Sequence, residues 1–465
     1  MTKKPVYHFL PPTDSWLNDP NGLIFWRGQY HLFYQWNPDQ PRWGNIHWGH
    51  AVSSDLVHWQ HLPTALSPGG PLDGSGCWSG CAVEHEGQLK LIYTAVRDFD
   101  PGDEGAATVS IALASSEDGI HFTKHPRPLL EWKYDRPVAG RLLEGWRDPV
   151  VWREGDGWKM TVGAGIRGVG GAAALYGSDD LLEWRFLGWL AEGSGAAQRP
   201  VWTGSVWECS QMIPFGGRAA LILSVWYQHR GYSTAYLSGI YANNRLEVEG
   251  GSKLDWGDSF YAPQAFLSPG GEWVMFGWLT ERLSVEEQVG VGWSGCMSLP
   301  RVLRLADGQL LQEPAPGLEA LRGRSWRVSG SLERQGSFGV GGPAFEVLLE
   351  ADPAQRLELT LHRSADGAEQ ARLVYDPAEP GLWLEGSLVT DTTPSLVTPS
   401  PPRMPLSPCE TLRLHIFADA TTLEVFCQGR ALSTRTYPRQ PGVGMGGLGE
   451  VRWLELWELG HRGDS

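Results

Sequence analysis

Ser54-Asp55-Leu56-Val57-His58-Trp59, Glu117-Asp118-Gly119-Ile120-His121-Phe122 and Asp179-Asp180-Leu181-Leu182-Glu183-Trp184 share the pattern Asp-x-x-x-aromatic, with the aspartates at 55, 118 and 180 spaced by 63 and 62 residues. A step of the same size leads to Asn243-Asn244-Arg245-Leu246 and then to Asp307-Gly308-Gln309-Leu310, turn-formers followed by leucine. Self-similarity at a fixed period marks a repeat architecture, here of five units. Within the first unit, residues 23–26 are an apolar run, Arg27-Gly28 a tight turn and residues 29–36 a second strand ended by Asn37-Pro38-Asp39. Residues 47–53 and 57–62 follow as third and fourth strands around the Asp55 turn. Four strands per repeat, five repeats and no convincing amphipathic helix predict a β-propeller, whose blades are four-stranded sheets around a central channel. A generic all-β sandwich with coincidental spacing is the alternative.

After Leu310 the texture changes. Glu313-Pro314-Ala315-Pro316-Gly317 is a breaker, and residues 318–321 suit one helical turn. Beyond it, Leu357-Glu358-Leu359-Thr360-Leu361 and Leu412-Arg413-Leu414-His415-Ile416 alternate as half-buried strands do, around a Pro-rich turn region at 399–408. The reading is therefore all-β: a five-bladed β-propeller over residues 1–312, a linker at 313–323 and a structural β-sandwich over 324–465, the last a candidate surface for homo-oligomer formation.

At 465 residues, the chain exceeds the usual size of one hydrophobic core. A net charge of −15 opposes binding to nucleic acid or an anionic membrane, both of which need a basic face, and favours an uncharged ligand. The 24 tryptophans are several times the usual complement; indole faces stack on the apolar faces of sugar rings. Cysteines at 77, 81, 209, 296, 409 and 427 form no Cys-x-x-Cys or Cys/His cluster at metal-ligand spacing, so no metal site is expected. The N-terminus, Met1-Thr2-Lys3-Lys4, lacks the apolar run of a signal peptide, and no stretch of about 20 apolar residues exists. A cytoplasmic protein with reduced cysteines is the expectation.

Three acids share a phase of the repeat. Asp19 lies 36 residues before Asp55, Asp148 lies 32 before Asp180 and Glu208 lies 35 before Asn243. Equivalent positions on different blades sit at similar radius and height, so these three should converge near the axis. Asp19 and Asp148 each precede a proline, which favours extended backbone and restricts the carboxylate's direction. Glu208, in Val206-Trp207-Glu208-Cys209, has apolar neighbours that would keep a proton on it. Asn18, Gln35 and Arg147 supply donors, and Trp43, Trp78 and Trp278 supply faces for a sugar. Glycoside hydrolysis needs two carboxyl groups, one to protonate the leaving oxygen and one to attack or to activate water. Taken singly, each acid has a plainer reading. Asn18-Asp19-Pro20-Asn21-Gly22 suits any tight turn, Arg147 and Asp148 suit an ion pair, and Glu208 suits a satisfied buried acid.

Trp16-Leu17-Asn18-Asp19-Pro20-Asn21-Gly22, Phe33-Tyr34-Gln35-Trp36-Asn37-Pro38, Trp48-Gly49-His50-Ala51-Val52-Ser53, Arg147-Asp148-Pro149 and Trp207-Glu208-Cys209 resemble the signature blocks of glycoside hydrolase family 32, which contains invertases, inulinases and levanases. Trp78-Ser79-Gly80, Tyr261-Ala262-Pro263-Gln264, Gly277-Trp278, Leu299-Pro300-Arg301 and Leu423-Glu424-Val425-Phe426 extend the resemblance in order across almost the whole chain. It implies the same propeller and sandwich, no cofactor, and retention of configuration at the sugar. By matching residues it implies Asp19 as nucleophile, Glu208 as acid/base and Asp148 as the group that holds fructose hydroxyls. Asn18, Gln35, Trp43, Trp78, Ser79, Arg147 and Trp278 would shape the fructose subsite. Two departures stand out: Ser210-Gln211 replaces the family's usual Pro-Asp after the acid/base motif, which bears on the leaving-group side, and Trp78 replaces a frequent phenylalanine, which would narrow the pocket. Cys77 and Cys81, at i and i+4 of one strand, should share a face as packed thiols.

The expected activity is release of terminal non-reducing β-D-fructofuranosyl residues from sucrose or short fructo-oligosaccharides. A fructosyltransferase, an inverting arabinan or xylan hydrolase, and a sugar-binding propeller without catalysis are the alternatives.

Overall fold

The repeat marker is a turn. In the first sheet, Ser53 and Asp55 close the connection between the third and fourth strands: the amides of Val57 and His58 donate to Asp55 Oδ1, and that of Leu56 donates to Ser53 Oγ. Asp118 and Asp180 repeat this with Ser116 and Ser178. Leu56, Gly119 and Leu181 adopt positive φ (69°, 76° and 66°) at the same point. Asn243-Asn244 and Asp307-Gly308 hold that place as two-residue turns with positive φ throughout, the geometry that suits a tight hairpin. The period is thus a hairpin recurring at one height of each sheet.

A computed structural model describes residues 4–100, 107–228, 230–335, 342–364, 368–388, 403–438 and 446–460; residues 1–3, and 399–402 of the Pro-rich region, lie outside them. The first sheet is the antiparallel meander Trp16–Trp26, Gln29–Asn37, His47–Ser53 and Trp59–Leu66. Four further meanders begin with Gly76–His85, Leu143–Glu154, Val206–Phe215 and Phe260–Leu267. These opening strands touch in a cycle, each against the next and the fifth against the first. Hydrophobic clusters bridge the same neighbours. Trp48 and Phe33 of the first sheet pack with Leu91 and Tyr93 of the second, and Phe266 and Phe276 of the fifth pack with Leu17 and Leu32 of the first.

Two more sheets follow, one ordered Arg322–Ser331, Glu450–Leu459, Ala344–Ala351, Leu412–Asp419, Thr422–Cys427 and Arg430–Arg435, the other Arg403–Pro405, Gly381–Glu385, Gln370–Tyr375, Leu357–Arg363 and Gly446–Leu448. Alternate residues of both, such as Val347, Leu349, Leu414 and Ile416 with Leu359, Leu361, Leu373 and Leu382, share a single core. The chain is all-β in character, and among the described residues no helix is long and apolar enough to cross a membrane.

Some expectations need correcting. The first strand begins at Trp16, so Asn18-Asp19-Pro20-Asn21-Gly22 is bulged strand and not a turn. Residues 316–321 form a 3-10 helix that includes the expected helical turn. A helix the hydrophobic pattern misses, Val285–Val291, interrupts the fifth sheet; Ser284 and Glu287 cap it reciprocally. Seven residues are too few to show a period, but the Ser-x-x-Glu spelling was available as a signal. Cys77 and Cys81 do not share a face. A bulge between Trp78 and Gly80 inserts one residue and inverts the alternation, sending Cys77 into the core with the first sheet and Cys81 into the core with the third.

Candidate active site

All five opening strands break register at one level: between Leu17 and Pro20, Trp78 and Gly80, Arg147 and Val150, Glu208 and Gln211, and Tyr261 and Gln264. A bulge bends its strand and re-aims a side chain. Asp148, Cys209 and Ala262 carry the strain as positive φ (62°, 50° and 48°), held from neighbouring sheets. Thr94 Oγ1 accepts the Asp148 amide at 2.9 Å, Asp148 Oδ2 accepts the Cys209 amide at 3.1 Å, and Ser224 Oγ accepts the Ala262 amide at 2.9 Å. The shared phase of the three acids is therefore a shared bulge.

The bulges surround a cavity of about 620 Å³ lined by Asn18, Asp19, Gln35, Trp43, Trp78, Arg147, Asp148, Glu208 and Trp278, among others. Every site residue expected from the sequence lies on this lining except Ser79, which sits behind it and donates to Asp19 Oδ2 at 2.5 Å. Asn18 Nδ2 reaches Asp19 Oδ1 at 3.1 Å, Gln35 Nε2 reaches Asp19 Oδ2 at 3.3 Å, and Gln35 also donates to Ser79 Oγ. Trp16 Nε1 holds the Asn18 carbonyl oxygen at 2.8 Å, which fixes the amide's orientation. Burial raises the Asp19 pKa to about 6; the Ser79 hydrogen bond opposes the rise, and the charge of Glu208 adds to it. Asp148 is raised mainly by burial too, with Arg147 opposing and Glu208 and Asp19 adding.

The setting of Glu208 is polar. Arg147 donates to its Oε1 through Nε and Nη2 at 2.9 and 2.7 Å, and Tyr261 OH donates to its Oε2 at 2.6 Å. Arg147 thus pairs with Glu208, beside Asp148. Tyr261 goes unassigned in the sequence reading, although it precedes a proline-containing bulge in the same phase as Arg147-Asp148-Pro149. Ser210 and Gln211 are buried and do not line the cavity; Gln211 exchanges hydrogen bonds with the Ala265 backbone at 2.6 and 2.8 Å and so ties the fourth sheet to the fifth. Trp78 packs edge-on with Trp43 and Phe99, its indole lying over Gly76, where a Cβ would come within 2.8 Å. Among the described residues, no group of three or more His, Cys, Asp or Glu side chains is arranged to hold a metal ion.

Residues 8–314 match the model for the glycosyl hydrolases family 32 N-terminal domain, and residues 317–448 match that for the family 32 C terminal. The chain belongs to glycoside hydrolase family 32. This family 32 chain is 34% identical to the sucrose-6-phosphate hydrolase of Escherichia coli, over 98% of its own length and 95% of that protein's. It is 33% identical to the raffinose invertase of Escherichia coli, over 94% and 90% of the two lengths. Among solved structures, a family 32 β-fructofuranosidase of Bombyx mori superposes with a TM-score of 0.81 at 29% identity, covering 98% of this chain and 94% of that one.

Proposed function

We propose that this chain is a retaining β-fructofuranosidase that releases the terminal non-reducing fructosyl residue of sucrose or short fructo-oligosaccharides. The observation that carries the reading is the placement of Asp19 and Glu208 on the first and fourth opening strands, facing one cavity, each held by its own set of donors. Relatives named sucrose-6-phosphate hydrolase, raffinose invertase and β-fructofuranosidase support a fructofuranoside substrate. The five meanders are read as the blades of a propeller and the two later sheets as a sandwich, with the division at residues 313–323.

In the first step, the Asp19 carboxylate attacks the anomeric carbon of the fructosyl unit, and the bond to the leaving sugar breaks as Glu208 gives its proton to the departing oxygen. Arg147 and Tyr261 then hold the Glu208 carboxylate that results, with charge-assisted hydrogen bonds aimed where the negative charge has appeared. In the second step, Glu208 takes a proton from water, the hydroxide attacks the same carbon, and Asp19 leaves. Two inversions give net retention. Asn18, Gln35 and Ser79 keep the Asp19 oxygens in place, and Asp148 accepts hydroxyls of the sugar.

Fructose release from sucrose, kestose, inulin and levan, with NMR of the first-formed anomer, tests the reading. Retained configuration is expected, together with a loss of kcat of at least about 10⁴-fold in Asp19→Ala, as when a nucleophile is removed. An inverted anomer, or an active Asp19→Ala enzyme, would overturn it.

A further inference from the structure

Beyond the acids at its floor, the cavity has two unlike outer walls. Trp43, Trp78 and Phe99 form one, with ring centroids 5.2 to 5.7 Å apart. The other is built from Asp255, Asp258 and Glu281 with Tyr232, Ser233 and Thr234. Among the described residues, six carboxylates and one guanidinium line the whole cavity, and that guanidinium, Arg147, is engaged with Glu208. The cations that answer the outer carboxylates stand behind them. Arg301 holds Asp255 at 2.9 Å and Arg435 holds Glu281 at 2.7 Å, both with fully buried side chains, while Arg282, 4% exposed, pairs with Asp258. Asp258 keeps the most exposed side chain of the three acids, at 13%.

A sugar phosphate is a dianion that is bound through guanidinium, ammonium or a cluster of backbone amides. In this cavity it would meet aromatic faces on one side and carboxylates on the other, and juxtaposed like charges suppress a wrong partner. We infer that this enzyme selects fructosides with an uncharged leaving sugar and discriminates against sucrose 6-phosphate, with Asp258 as the specificity-determining residue. Ser233, on the same lining as Asp258, suits a hydroxyl of a neutral pyranose, and the aromatic wall suits the sugar's apolar face. The inference rests on the fructofuranosidase reading of the floor and sets this chain apart from the substrate for which several relatives are named.

The test compares kcat/KM for sucrose and sucrose 6-phosphate at pH 7 and low ionic strength. Sucrose is expected to be favoured at least about tenfold, and added salt should narrow the gap because screening weakens the repulsion. In Asp258→Asn, which removes one carboxylate charge from the outer wall, the ratio should shift toward the phosphorylated substrate by at least about fivefold. Equal or better use of sucrose 6-phosphate by the wild-type enzyme overturns the inference, and an unchanged ratio in Asp258→Asn removes Asp258 from it. Turnover of neither substrate would instead sink the fructofuranosidase reading.

Discussion

As the proposed nucleophile, Asp19 has to be ionised to attack, yet burial holds its pKa near 6. The carboxylate forms as pH rises through that value, so kcat/KM should fall on the acid side with an apparent pKa of about 6. Ser79 favours the charged form through its 2.5 Å hydrogen bond, and its removal shifts the balance back toward the protonated acid. Ser79→Ala should therefore move the acidic limb to higher pH, by roughly one pH unit if the bond is worth about 1.4 kcal/mol. A pH–rate profile of the two enzymes checks this. An unchanged limb in the variant would mean that Ser79 does not tune Asp19. Motif spelling brings in Asp19, Glu208, Ser79 and Arg147, but not which donor each acid bonds, because Ser79, Arg147 and Tyr261 come from other sheets than the acids they touch.

At the scale of elements, the decisive device is the bulge, and its support depends on glycines that let sheets approach. A Cβ on Gly171 would fall 2.0 Å from the Trp207 indole, which is fully buried next to Glu208. Gly171→Ala must push that ring and the strand that carries Glu208, the proposed acid/base. It should destabilise the protein by about 1–3 kcal/mol, as overpacking does, and lower kcat at least tenfold with a smaller change in KM. Urea unfolding and steady-state kinetics separate the two effects. The repeat was legible because one hairpin chemistry, an Asp or Asn at a left-handed turn, recurs at 55, 118, 180, 243 and 307. Strand bulges leave no comparable trace. Asn-Asp-Pro-Asn-Gly reads as a turn until its pairing with Phe33 and Tyr34 is seen, and the placing of Cys77 in one core and Cys81 in another depends on a single inserted residue.

Across the whole molecule, two motifs that sequence lists separately meet at the junction between the five meanders and the later sheets. Arg301 is wholly buried and donates to Glu424 at 2.6 Å, to Ser433 at 2.7 Å, and to Asp255 at 2.9 Å. Glu424 in turn accepts the Leu299 amide at 2.8 Å and faces His8 Nε2 at 3.0 Å, while His8 Nδ1 faces Asp419 at 2.8 Å. All of these contacts except Arg301–Asp255 link residues more than 100 positions apart and are invisible to any local pattern. Removing one partner of a buried pair leaves uncompensated charge, so Arg301→Leu should cost about 3–5 kcal/mol. His8 adds a pH signature. Burial alone would lower its pKa, but the hydrogen bonds and charges of Asp419 and Glu424 raise it above 6.5. A histidine whose folded pKa exceeds its unfolded one contributes stability that is complete below pH 6.5 and is lost as pH rises through the folded value. Unfolding free energy should therefore decline from about pH 6.5 upward in the wild-type chain, and His8→Gln should flatten that decline because glutamine carries no proton to lose. Denaturant titrations at half-unit pH intervals give the measurement, and parallel curves for the two proteins would show that His8 is not protonated in the junction.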